Sequence, residues 1–242
     1  MNLLCGVALS FTAGYAYNYL NQGRLKEVEN RVIYRGKSYD RISSVFISVL
    51  SDFNIDRKDV RLVVVNERGA PRVFGSLLSR DCGVIVPLDI DVCDMNEKSL
   101  KVVLKHELVH SVKNHLLKIP CYSFVAGVTP LGIGFLCSVD SKISVLVSLI
   151  TTISTVILYV QATECEADAI AIESSKKDEV EAYIKLFNEL KTHMIKQKKY
   201  FKSINSLNYF SIRENGDYLL GILHPFYSTR IKACEKALLN KS

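Results

Sequence analysis

Charged and uncharged stretches alternate along this chain in a way that predicts its elements. No charged side chain occurs from Met1 to Gly23, from Ile119 to Val139, or from Ile143 to Thr163. Within the third run, the stretch from Ile143 to Val160 is apolar throughout, with Ser and Thr able to bond back to their own helix, and it predicts a membrane helix. The second is long enough to span but contains Pro120, Pro130, Gly127, Gly132 and Gly134, so a kinked or re-entrant helix is expected. Only Asp140, Ser141 and Lys142 separate the two, which makes them a hairpin. The first run lacks the basic start of a signal peptide and is followed by Arg24, Lys26, Arg31, Arg35 and Lys37. A retained anchor is expected there, with the basic side in the cytosol by the positive-inside rule.

Between these runs the periodicity changes. Ile42, Phe46, Val49 and Leu50 recur at helical spacing within 38–53. Val60–Val65, Val73–Phe74 and Cys82–Val86 are short β-branched or apolar runs bounded by turn residues, which predicts a small, mostly antiparallel sheet. Asp94 or Asn96 is placed to cap a helix expected to run to about Lys118, with Glu97 in its first turn. Further helices are predicted over Glu164–Ile172, Asp178–Gln197 and Ser228–Leu239. The fold class is therefore mainly α with a small β-sheet, α+β.

Composition sharpens this picture. Across 242 residues the hydrophobic fraction is 48%, which points to a membrane component rather than an oversized core. The net charge of +6 is spread out, densest near Lys198-Lys199, where a solvated helix face or contact with anionic headgroups is expected. No phosphate-binding loop or RNA-binding signature is present, so a nucleic-acid partner is not expected. The 7 cysteines are odd in number and irregularly spaced, which argues for a reducing compartment.

The chemistry concentrates at Lys105-His106-Glu107-Leu108-Val109-His110, an HExxH pattern. Histidines at i and i+4 share one helix face and can reach one zinc ion. Glu107 points about 100° around the helix from His106, placed to hold a water rather than the metal. A catalytic zinc takes three protein ligands and leaves one position open. His115 is expected on the far side of the helix, as a capping or packing residue. His193 is expected at the surface. His224 and the acidic cluster Glu164-Cys165-Glu166-Ala167-Asp168 remain as sources of a third ligand. Glu164 and Asp168 share a face, one suited to bind metal and the other to fix a ligating imidazole, while Glu166 points elsewhere. Acidic residues favoured at a helix start give the same pattern without a metal.

Together these residues resemble the integral-membrane gluzincin proteases that include HtpX-type heat-shock proteases and CAAX prenyl endopeptidases. HExxH matches 106–110, with a His five positions on at His115; ExxAD matches 164–168; and a late HP-x4-RI element matches His224-Pro225 through Arg230-Ile231. Val109 stands where that family often has Gly, and Cys165 where it has an aromatic residue. The resemblance implies one catalytic zinc held by His106, His110 and Glu164, with Glu107 as the base. It further implies that His224 stabilises the oxyanion and Arg230 pairs with Asp168. Substrate would lie along an edge strand, either Val73-Phe74-Gly75 or Val84-Ile85-Val86. The chain is too short for the many-helix chamber of the CAAX enzymes, so a prenylated substrate is not expected.

The expected architecture is a zincin-type domain with an anchor at 1–23, a first catalytic part at 24–118, a membrane hairpin at 119–163 and a second catalytic part at 164–242. One metal bound from both sides of the hairpin requires an even number of crossings, or a segment that only dips into the membrane. The implied protein is a multi-pass membrane zinc metalloendopeptidase facing the cytosol, of a bacterial-type inner membrane. Its partners would be a peptide or membrane-protein substrate and the bilayer, with a role in quality control or regulated proteolysis. The alternative is a zinc-binding membrane scaffold without proteolytic activity.

Overall fold

The computed structural model describes residues 37–56, 59–65, 72–75, 82–87, 95–204, 206–218 and 225–241. The expected anchor at 1–23 and the basic residues Arg24 to Arg35 lie outside them. Helix α1 (Lys37–Asp52) precedes strands β1 (Arg61–Val65), β2 (Arg72–Gly75) and β3 (Cys82–Pro87). Helices α2 (Glu97–Val112), α3 (His115–Leu136), α4 (Ser141–Glu173) and α5 (Lys177–Ser203) follow. A 3-10 turn (Leu207–Ser211) and helix α6 (Tyr227–Leu239) complete the described chain. The protein is mainly α with one small sheet.

Helix α2 starts where expected, with the Asn96 side chain accepting from Lys98 N at 2.9 Å. It is the middle of the fold because it is buried on two sides. Leu100, Leu104 and Leu108 join Ile42, Phe46 and Val49 of α1 and Val64, Val84 and Val86 of the sheet in one core. Val102, about 160° from the middle of that leucine stripe, joins Ala171, Val180, Tyr183, Phe187 and Ile231 in a second. The histidine face is thereby fixed between two packed layers.

The sheet is mixed rather than mostly antiparallel. Its order is β1-β3-β2, with β1 parallel to β3 (Val63 opposite Ile85) and β2 antiparallel to it (Val73 opposite Val84). The reason lies in β3, where Val84, Ile85 and Val86 are consecutive buried residues, the mark of a strand covered on both faces. It takes the centre and forces the earlier strands to its flanks.

Two helix boundaries also differ from expectation. Helix α2 stops at Val112 rather than Lys118, because Asn114 adopts the left-handed conformation (φ 53°) and α3 begins at His115. Asn tolerates that conformation better than most residues, and it ends helices. Pro120 and Pro130 lie inside α3 instead of ending a helix. The third apolar run and the ExxAD segment form one helix, α4, of 33 residues, roughly 50 Å long. Glu164 therefore sits deep in a helix, and attraction of acidic groups to a helix N-terminus does not explain it.

Helices α3 and α4 pack as a hairpin. Asp140 caps α4 by accepting from Lys142 N at 2.8 Å, and Ser148 Oγ donates to Gly127 O at 2.6 Å. A Cβ on Gly134 would fall 2.1 Å from Ser144 Oγ, so only glycine permits this approach. Lys118–Leu136 and Ser141–Glu173 are long and apolar enough to cross a membrane, and Phe135, Leu136, Leu146, Ile150 and Leu158 point outward.

Helix α6 is set by a tight turn before it. Gly216, at φ 86°, packs against Lys191 O of α5, and the buried carboxylate of Asp217 accepts from Ser228 N at 3.0 Å. That clamp holds the helix start two residues before Arg230.

Candidate metal centre

The i, i+4 spacing on α2 brings His106 Nε2 and His110 Nε2 to 3.1 Å from each other. Helix α4 crosses this face and places Glu164 Oε2 3.4 Å from His106 Nε2 and Oε1 3.3 Å from His110 Nε2. All three residues are buried, and one ligand atom from each lies within 4.8 Å of the others. Two imidazole lone pairs and a carboxylate facing one another repel unless a cation sits among them. Burial alone would lower the pKa of His106, but Asp168 and Glu164 raise it to about 9. Two imidazole nitrogens and a carboxylate converging in a buried pocket are a donor set that suits a borderline divalent ion. Glu107 lies beside it, partly exposed, with its pKa raised by burial against the opposing pull of both histidines.

Each imidazole is held from behind. Asp168 Oδ1 lies 2.9 Å from His106 Nδ1, so the ring donates from Nδ1 and leaves Nε2 for the centre. Arg230 donates to the same Asp168 oxygen at 2.5 Å and to Tyr183 Oη at 2.7 Å, while stacking 4.5 Å over the Phe187 ring. Burial works against both charges; even so, His106 and Arg230 keep Asp168 below the usual carboxylate range, and Tyr183 and Asp168 keep Arg230 firmly protonated. The sequence pointed to Asp168 and Arg230 but not to Tyr183, whose spacing on α5 is that of an ordinary core residue.

His115 is the clearest departure. Because α2 breaks at Asn114, its ring does not rotate to the far side, and its Nδ1 lies 2.9 Å from His110 Nδ1. His115 Nε2 in turn lies 3.3 Å from Glu166 Oε2, so Glu166 also faces this region, and Lys113 meets its other oxygen at 3.3 Å. His115 is therefore no ligand to the centre but a backing group for one. Burial, with the neighbouring His110, lowers its pKa to about 4, consistent with a neutral acceptor.

His224 lies outside the described residues. Strand β2, carrying Val73, Phe74 and Gly75, is at the edge of the described sheet and next to α2, whereas β3 is paired on both sides. Val84-Ile85-Val86 is thus excluded as a place for an added strand.

Exchanging Asp168 for Asn tests the backing of His106. It is expected to weaken divalent-metal affinity about 10–100-fold by competition against a chelator, because the ring loses its anionic partner. The thermal midpoint should fall as well, since Arg230 keeps its charge in a buried site.

A family model described as peptidase family M48 matches residues 41–238. No curated protein and no solved structure matches the chain. The matched span includes both histidines of HExxH, the ExxAD segment and Arg230, the parts that the fold brings to one point. The chain belongs to peptidase family M48, the family of HtpX-like membrane zinc metalloproteases.

Proposed function

We propose that this protein is a membrane-anchored zinc metalloendopeptidase whose active centre faces the cytosol. The observation that carries the proposal is the convergence of His106 Nε2, His110 Nε2 and a Glu164 carboxylate with Glu107 beside them. Those three residues would hold the ion. When bound, zinc supplies a Lewis acid that polarises a carbonyl and makes a water acidic enough to lose a proton near neutral pH.

The chain's own groups do the rest. Glu107 takes the proton of the attacking water on a carboxylate oxygen and delivers it to the departing amine nitrogen. Asp168 and His115 fix the two imidazoles so that both Nε2 atoms face inward. Strand β2 offers its open edge to an extended peptide, with Val73, Phe74 and Gly75 alongside it. His224, by its place in the HP-x4-RI element, would donate to the oxyanion, and Arg230 locks Asp168.

The hairpin supports the membrane part of the proposal. Only 11% of the most apolar window of α4 is buried, opposite to the core helix of a water-soluble protein. Because α3 and α4 return the chain to its starting side, the two halves of the site meet without violating topology. Residues 1–23 would add an anchor, making the protein multi-pass, and the basic segment after them favours the cytosolic face for the site. The outward apolar surface beside the centre favours damaged or regulated membrane proteins as substrates.

The full chain in detergent micelles is expected to bind one zinc and to cleave unfolded casein. Chelation should abolish cleavage, and one equivalent of zinc should restore it. One zinc per chain with no cleavage of casein or of itself would instead identify a silent scaffold. No zinc at all would refute both.

A further inference from the structure

We propose that Glu166 is a positioning residue for the metal centre, selecting through His115 the tautomer in which His110 can bind a metal. The inference rests on the metal reading of His106, His110 and Glu164, and it concerns a side chain at a position that the ExxAD pattern leaves open. A neutral imidazole carries one N–H and one bare nitrogen. His110 Nε2 faces His106 Nε2 at 3.1 Å and Glu164 Oε1 at 3.3 Å. To ligate, that nitrogen must be bare, so the His110 proton belongs on Nδ1. Nδ1 lies 2.9 Å from His115 Nδ1, and two N–H groups cannot share such a contact. His115 Nδ1 therefore accepts, and the His115 proton sits on Nε2. His115 is 3% exposed, and no described residue gives its Nε2 an aligned hydrogen bond. Glu166 Oε2 stands 3.3 Å from it, and this half-exposed carboxylate needs only a small rotation to accept.

Without that acceptor the preference reverses. Buried donors are left unpaired less often than buried acceptors, so the proton of His115 moves to Nδ1 and the contact with His110 turns around. His110 then accepts at Nδ1 and carries its own proton on Nε2, aimed at the centre, where it opposes a metal. Asp168 settles the same question for His106 in one step at 2.9 Å; Glu166 settles it for His110 in two. Helix α4 holds the relay in place. Tyr159 and Glu166 are seven positions apart on α4, two turns along one face, and Tyr159 Oη donates to His115 O at 3.2 Å. Lys113 Nζ lies 3.3 Å from the other Glu166 oxygen, so the carboxylate is engaged on both sides. One helix thus supplies a metal ligand and the carboxylates that orient both ligating imidazoles.

The test compares Glu166→Leu, which fills the space without an acceptor, with Glu166→Gln, whose amide oxygen still accepts. The full chain in detergent micelles has 5 histidines, and nitrogen-15 labelling of their rings shows which nitrogen of each is protonated. At about pH 8.5, above the ordinary imidazole value, metal-free parent should hold the His115 proton on Nε2, and Glu166→Leu should hold it on Nδ1. Zinc affinity, read by competition against a chelator, should fall about tenfold in Glu166→Leu and less than about threefold in Glu166→Gln. The thermal midpoint of the metal-free protein should not move, because the Glu166 side chain is half-exposed. Unchanged zinc affinity in Glu166→Leu, or a His115 proton that stays on Nε2, would overturn the proposal and leave the metal reading standing. Equal losses in the two variants would also overturn it, by showing that the charge of Glu166 acts rather than its hydrogen bond. A loss matched by a lower metal-free midpoint would assign Glu166 to structure instead. A parent chain that binds no zinc would remove the metal reading and this inference with it.

Discussion

Glu107→Gln is expected to abolish casein cleavage, by a factor of about 10²–10⁴ in kcat, while the protein still binds one zinc. The two halves of this result separate because they rest on different residues. His106, His110 and Glu164 face one another across 3.1–3.4 Å, and none of those contacts involves Glu107. Glutamine keeps the size of the side chain and its place on α2, but it has no basic oxygen to take a proton from water. Loss of zinc together with activity would move Glu107 into the ligand set. Retention of full zinc-dependent cleavage would sink the mechanism. His106→Ala is the natural companion, since it should lower zinc binding and cleavage together.

The zinc-type triad was legible in the chain because helical spacing fixes local geometry. His110 lies four positions after His106, and Asp168 four after Glu164, so each pair had to share a face. The meeting of the two pairs was not a local matter, and it took the ExxAD resemblance and the topology of the hairpin to suggest it. Errors arose where one residue's backbone decided the outcome. Asn114 turns left-handed and swings His115 behind His110; counting nine positions along an unbroken helix put that ring on the wrong side. Gly134 lets α3 and α4 approach closely, but Pro120 and Pro130 did not interrupt α3 as expected. The continuous run Val84-Ile85-Val86 already marked a strand buried on both faces, and that signal should have outweighed the turn residues that suggested a meander. Tyr183 could not have been singled out, because a tyrosine at core spacing reads identically whether its hydroxyl meets Arg230 or water.

One buried charge went unremarked in the sequence although it adjoins the motif. Lys105, immediately before His106, is 0% exposed, and its Nζ reaches Asp52 Oδ2 of α1 at 2.9 Å, Glu179 Oε2 of α5 at 3.0 Å and Ser174 O at the end of α4 at 2.8 Å. Lys101 bonds the same two carboxylates at 3.0 and 3.2 Å. Two lysines and two acids thus neutralise one another while tying three helices to α2. Lys105→Met fills nearly the same volume but leaves the buried Glu179 sharing one lysine with Asp52. Breaking a buried pair from one side costs about 3–5 kcal/mol, so a large fall in the thermal midpoint is expected. Lys105→Met with Glu179→Met should recover most of it, because Lys101 and Asp52 then remain as a balanced pair. A cavity or packing defect would not be repaired in that way, so failure of the double variant would refute the electrostatic account. The pH dependence supplies an independent check. Burial raises the pKa of Asp52 and Glu179, but the lysines more than offset it and hold both below their ordinary values of 3.8 and 4.5. Depressed carboxylates stabilise the fold fully above the unfolded values and lose that contribution as pH falls through the folded ones. The midpoint should therefore decline below about pH 4.5, and less steeply in Lys105→Met than in the parent. Since the same side chain anchors the helix turn that carries His106, zinc affinity should fall with stability in the single variant and return in the double.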